Sequence, residues 1–441
     1  MKKRRGDSMI LNTKVFLGNR LVDNVSPGIL PNYALRFKGN GKEFCISKEQ
    51  LTTHLLLVGA TGTGKTNTIF HIIEQLKNEM TEKDVMLVFD SKFDFNIFHQ
   101  SNDLIISNCY RDEITRADWN VFMDIVADGW DKSLIDLNSE EISNIIFSES
   151  IKESSQPFFP KAARDIFSAI LKGMTYLGID DNEYRIKYLN NEALKKYLAN
   201  INSKRLRAFL EKVPELSGVL KYVGDGSSDQ ALGVFAELQS VTSKLFVKCF
   251  GRNGRFSVRK MEKQRGGKTL FIEYDPSCGS SFQPIYRVLV DLFIKEALSP
   301  EKNKGKVYII CDELKMVPHL DHFENALNFG RSLGITVIAG IQSMEQLYEV
   351  YGEYGGRNIA TGFQNTMIFR TNNAATREYA RDIHGRNYLL IQYLDSFQKP
   401  ADAVREGFCV EDWDIISLKK GEAIIGLAGQ KPFKFYFERY R

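Results

Sequence analysis

The chain has 441 residues, 43% hydrophobic and 26% charged, with 59 basic against 55 acidic side chains and a formal net charge of +4. That is an ordinary globular composition, long enough for two domains or for one large domain carrying an insertion. Cys45, Cys109, Cys249, Cys278, Cys311 and Cys409 never fall at C-x-x-C spacing, which argues against a zinc site or a disulfide framework and fits a reducing compartment. No apolar run approaches the roughly 18 residues needed to cross a bilayer, and no apolar h-region follows the basic start at Met1–Arg5. The chain therefore reads as cytoplasmic without an intrinsic membrane span, any membrane contact being made through a partner. The near-balanced charge neither demands nor excludes nucleic acid, because its distribution counts for more than its sum.

Residues 1–50 are a lead-in in which Lys14–Leu17 and Tyr33–Phe37 read as short strands. Leu55–Val58 is a continuous apolar run ending in a Gly-rich turn. Lys65–Glu79 follows with Ile69, Ile72, Ile73 and Leu76 at helical spacing. Val85–Phe89 and Leu104–Ile106 read as buried strands. Strand, helix and strand in this rhythm predict a parallel sheet covered on both faces, with its first part in residues 51–118. Residues 119–246 have few such runs and carry helical patterns at Ala162–Leu177 and Leu232–Leu245, so they read as an inserted all-α domain. The strand pattern resumes in residues 247–441, at Thr269–Ile272, Val307–Ile310, Ile335–Ala339 and Thr366–Phe369. Helical segments separate these at Ile285–Leu298, His322–Leu333 and Ala375–Ile383. Glu422–Ile425 and Phe433–Phe437 read as a closing strand pair.

The turn after Val58 carries the chemistry. Gly59, Ala60, Thr61, Gly62, Thr63, Gly64, Lys65 and Thr66 fit G-x-x-x-x-G-K-[ST] at every position, between an apolar strand and a helix on which Asn67 comes next. Glycines let such a backbone wrap tightly, so that its N–H groups and the helix N-terminus face phosphates. Lys65 would reach the β and γ phosphates of ATP and Thr66 would ligate Mg²⁺. The partner segment is Val307–Glu313, a buried strand ending in two acids. Asp312 would hold the metal and Glu313 would polarise the attacking water.

Four further positions carry paired readings. Gln342, closing the strand from Ile335, is either a γ-phosphate sensor or an ordinary strand-end amide. Arg331 is either an arginine finger completing a neighbouring subunit's site or a surface arginine at a helix end. Asp90 and Lys92 close the second strand at the carboxyl edge where ligands gather, or they cap a loop. Residues 251–268 hold seven basic residues and one acid, and read as a solvated connector ahead of a phosphate grip. The Met1–Arg5 cluster reads as a disordered terminus.

Together these residues resemble the type IV secretion coupling-protein family, the conjugative DNA-transfer ATPases, within the wider additional-strand group of DNA-pumping translocases. The resemblance covers most of the chain. Its most specific stretch is 328–347, continuing through Tyr351 and Gly352. Trp119–Phe122 resembles the beginning of the family's all-α domain, Phe158–Ala163 the start of a long helix there, and Pro432–Tyr440 the closing strand. The resemblance implies a RecA-like P-loop α/β fold with a mainly parallel sheet and an inserted all-α domain. It further implies a homo-oligomeric ring, a hexamer, with nucleotide sites between subunits and DNA in a central channel. In that family the position of Arg331 is a trans-acting finger. A relaxase, a secretion channel and a membrane-anchor protein are the implied partners. The family's usual N-terminal transmembrane helices are a departure here, which leaves two other readings beside conjugation. One is a soluble ATPase acting with a nuclease or other effector in defence or repair. The other is a nucleotide-switched assembly protein that does not translocate DNA.

Overall fold

A computed structural model of the chain describes residues 10–22, 32–108, 117–278, 280–300, 305–316, 319–394 and 399–440. Met1–Arg5 and Cys109 lie outside the described residues. The chain divides into two compact units: residues 1–80, 308–315 and 324–441 form the first, and residues 81–307 and 316–323 the second.

Fourteen strands occur among the described residues. The first four are β1 (Ile10–Gly18), β2 (Tyr33–Gly39), β3 (Lys42–Ser47) and β4 (Leu55–Val58). Next come β5 (Val85–Asp90), β6 (Leu104–Ser107), β7 (Lys268–Glu273) and β8 (Val307–Cys311). The remainder are β9 (Ile335–Ile341), β10 (Asn365–Phe369), β11 (Arg386–Leu394), β12 (Pro400–Phe408), β13 (Glu422–Gly426) and β14 (Phe433–Tyr436).

In the first unit β4 lies between β10 and β9 and is parallel to both, and the strand order runs β14-β13-β10-β4-β9-β8. The central strand β4 is apolar at all four positions and fully buried, as expected for a parallel strand covered on both faces. Its flank is antiparallel: β10 pairs with β13, and β13 with β14, the expected closing pair. Ile368 and Ile424 of these strands pack with Ala380, Val410, Ile415 and Leu418 in one buried cluster. The hairpin β2–β3 closes over the C-terminal strand through aromatic rings: Phe44 meets Phe433, Phe435 and Phe437 edge-on at 5.3, 4.6 and 6.1 Å. Strand β1 joins a small antiparallel sheet with the hairpin β11–β12. That hairpin escaped the sequence reading because most of β12 is exposed, leaving no alternation of apolar and polar residues to read.

The second unit holds three parallel strands, β5-β7-β6, and most of the helices. The helix Phe158–Leu177 starts at the segment singled out as a helix start, and Asp229–Leu245 encloses the expected 232–245. The helix Lys132–Glu153 was not expected. Its buried face includes Asn138, Ser139 and Ser143 among the isoleucines, which interrupts the apolar stripe. Asp124 ties both ends of the helical stretch together: it accepts from Trp119 Nε1 and Ser257 Oγ at 2.6 Å each and from the Arg259 amide at 3.0 Å. Burial raises the Asp124 pKa.

Candidate nucleotide site

The site lies wholly in the first unit. Strand β4 delivers the chain to Gly59, and the helix Lys65–Glu79 begins where the sequence pattern places it. Gly64 caps that helix at φ +127°, a backbone conformation that side chains oppose, so glycine is required for the loop to curl into the helix. Three neighbouring segments hold the loop's backbone. Gly59 N–H donates to Ile341 O at 3.2 Å, Ala60 N–H to Arg370 O at 3.1 Å, and Gly421 N–H to Thr63 O at 2.8 Å. Lys65, 6% exposed, rests its ammonium on the carbonyls of Gly59 and Ala60.

Strand β8 brings the two acids to the same edge. Asp312 is fully buried, and the Thr66 hydroxyl donates to its Oδ1 at 3.4 Å. A hydroxyl and a carboxylate at that spacing suit neighbouring vertices of an Mg²⁺ octahedron, whose ligands stand about 3 Å apart. Among the described residues no group of three or more His, Cys, Asp or Glu forms a metal cage. One hydroxyl and one carboxylate suit a cation that keeps waters and borrows phosphate oxygens. Glu313 is 5% exposed; its Oε2 accepts from Gln342 Nε2 at 2.8 Å, and its Oε1 is buried without a hydrogen-bond partner among the described residues. A buried carboxylate oxygen without a hydrogen-bond partner has the capacity to accept a proton from, or orient, a water.

Strand β9 lies between the phosphate-loop strand β4 and the acid-bearing β8, the additional-strand order that the family resemblance implies. Gly340 makes that packing possible, since a Cβ on it would stand 2.2 Å from Asp312 O. This glycine was missed, as only the assembled sheet shows its neighbour. Gln342 also donates from its own backbone: its N–H bonds Gln346 Oε1 at 2.8 Å, on the helix Met344–Thr361.

The other sequence candidates sit elsewhere. The Asn67 side chain clips the C-terminal segment, donating to Glu438 O at 2.9 Å and accepting from the Tyr440 amide at 2.8 Å. Arg331 is on the surface, 58% exposed, 3.2 Å from Glu49. Asp90, in the second unit, caps its own loop by accepting from the amides of Lys92 and Phe95 at 3.0 and 2.9 Å. Much of the basic run is internally engaged. Arg259 is buried against Asp128 and Glu296 at 2.6 and 2.9 Å, Lys263 lies 2.5 Å from Asp128, and Arg265 bonds Glu262 at 2.6 Å, which favours the connector reading.

Residues 42–407 match the model of the family described as the type IV secretion-system coupling protein DNA-binding domain. The chain belongs to this family. It is 22% identical over 408 residues to the coupling protein TraD of Escherichia coli (strain K12), a match covering 88% of this chain and 52% of TraD. The chain thus spans about half the length of that curated relative. Its fold is that of the bacterial conjugative coupling protein TrwBΔN70. The unbound monoclinic form has a TM-score of 0.76 at 20% identity, covering 99% of this chain and 97% of that one. TrwB in complex with ADP and Mg²⁺ has a TM-score of 0.73 at 20% identity, covering 99% and 97%. The coupling-protein fold is accordingly a RecA-like P-loop domain with a helical part. Among the described residues no helix is long and apolar enough to cross a membrane.

Proposed function

We propose that this coupling-protein chain is an Mg²⁺-dependent ATPase that drives DNA through a ring of its own copies, in the manner of the conjugative motor. The observation that carries the reading is the meeting of Thr66 with Asp312 and of Glu313 with Gln342 beside the phosphate loop. In this scheme the loop amides and Lys65 bind the phosphates of ATP, and Thr66 and Asp312 hold the metal. Glu313 orients the attacking water, while Gln342 reports the γ-phosphate to the helix Met344–Thr361 through Gln346. Supplied by a neighbour, Arg331 neutralises charge in the transition state. Its exposure supports that role, because its present partner Glu49 is itself 82% exposed and such surface pairs are worth only about 0–1 kcal/mol.

DNA as the cargo and coupling to a secretion system are both supported by the family description. Residues 119–246 as an inserted domain, a relaxase delivered with the DNA, and membrane association through a partner protein complete the proposal. The test is ATP hydrolysis by purified protein with and without single- and double-stranded DNA over a salt series. Stimulation by DNA that fades as salt rises is expected, since phosphate contacts release counterions. Turnover indifferent to DNA at every salt would replace the motor with a switch answering to a protein partner.

A further inference from the structure

The proposed finger raises a physical question. A transition-state contact misplaced by about 1 Å costs roughly a hundredfold in rate, yet among the described residues the Arg331 side chain is held only by a surface pair with Glu49. Its placement must come from the backbone of its helix, Phe323–Leu333. One buried side chain grips that backbone. His54, 1% exposed, stands directly before β4, and its Nε2 lies 3.1 Å from Leu327 O. Its Nδ1 accepts from the Val337 amide of β9 at 3.0 Å. An acceptor at Nδ1 makes Nε2 the protonated nitrogen, so the ring is neutral and donates to Leu327.

Leu327 is the informative partner. In an α-helix the carbonyl of residue i accepts the N–H of residue i+4, so the carbonyl held by His54 is the acceptor for Arg331's own amide. Gly330, adjacent to Arg331, lies over the same ring: a Cβ there would stand 3.5 Å from His54 Cε1. One imidazole thus registers three things against each other: the helix carrying Arg331, the strand leading to Gln342, and the strand leading to the phosphate loop.

We infer that His54 is a positioning residue that fixes Arg331 relative to its own subunit's phosphate loop, so that one site's strand frame aims the finger offered to the next. This rests on the finger reading above. Two substitutions separate the ring's two bonds. Asn can reproduce the acceptor at Nδ1 but not the donor toward Leu327, and it tolerates the left-handed backbone of His54 (φ +65°). Gln can reproduce the donor at Nε2.

The experiment measures DNA-stimulated ATP turnover, nucleotide binding and melting temperature for His54→Asn, His54→Gln, Arg331→Ala and the Asn/Ala double variant. Expected are a fall in kcat of about tenfold or more for His54→Asn, with KM and nucleotide affinity within about twofold. His54→Gln should recover most of the turnover, and Arg331→Ala should cost little more in the His54→Asn background than His54→Asn alone. Losses that multiply, or that follow the drop in melting temperature equally for Asn and Gln, would reduce His54 to a core residue and leave the finger intact. An Arg331→Ala protein as active as the parent would remove the finger reading and this inference together.

Discussion

At the residue scale, the catalytic assignment turns on one buried carboxylate. Glu313 has one oxygen held by Gln342 and another buried without a hydrogen-bond partner among the described residues, whereas the Lys65 ammonium rests on carbonyls of the loop that it helps to build. Glu313→Gln keeps the size of the side chain and its capacity to bond Gln342, but removes the base. It should bind ATP as the parent does and hydrolyse it at least a hundredfold more slowly, about 2.7 kcal/mol on the barrier. A single-turnover assay decides, and fast turnover by Glu313→Gln would refute the assignment. Lys65→Ala should instead lose ATP binding itself, visible by titration with a fluorescent nucleotide. Both residues could be singled out in the sequence, because they stand in short patterns of Gly, Lys, Thr and acid that are local in the chain. His54 could not. A histidine before an apolar strand looks like any other until its partners, 273 and 283 residues away, are in place.

At the scale of elements, the site exists because β9 and β8 approach closely at Gly340. Gly340→Ala would place a methyl 2.2 Å from a backbone oxygen, which no rotamer change relieves. It should displace Asp312, cut turnover by about tenfold or more, and lower the unfolding free energy by roughly 1–3 kcal/mol. Gly218 faces open space, so its alanine variant should stay within about 0.5 kcal/mol of the parent in the same urea titration. A Gly340→Ala protein indistinguishable from Gly218→Ala would show that the strand packing is looser than drawn. Elements with a clear apolar face were read well. The helix Lys65–Glu79 was expected at its observed bounds, and Phe323–Leu333 was expected from His322. Elements whose partners are polar or absent were missed, such as Lys132–Glu153 with buried Asn138 and Ser143.

At the scale of the whole molecule, the two units should answer acid differently. In the first unit, burial depresses His54 and His384 to about 4. Unfolded histidines take a proton near 6.5, so stability is lost as pH falls from about 6.5 toward 4, by on the order of 2–3 kcal/mol for His54. In the second unit the sign reverses. Glu273, 1% exposed, is pushed up to about 7 by burial and by neighbouring Asp90. Its folded form keeps a proton that the unfolded chain releases near 4.5, so its contribution is full below that value and lost as pH rises through 7. Hydrogen exchange at pH 7 and pH 5 should therefore show protection falling around β4 and β10 while it holds or rises around β5 and β7. Uniform loss over both units would contradict these titrations, and Glu273→Gln should flatten the response of the second unit.

By itself the sequence determined the family and the class of fold, and it singled out the phosphate-loop pattern and the acidic pair, because these rest on residue types at short fixed spacing and on apolar runs of strand length. Tertiary structure decided what those residues touch. Thr66 and Asp312 are 246 positions apart, and only the strand order β4-β9-β8 makes them neighbours. The buried amide of Asn365 likewise bonds Gln50 O, Thr53 Oγ1 and His54 O at 2.7 to 3.0 Å across more than 300 residues. Local pattern encodes what a side chain can do, since that depends on its own chemistry. Distance, burial and hydrogen-bond partners are properties of the packed chain, and no run of adjacent residues states them.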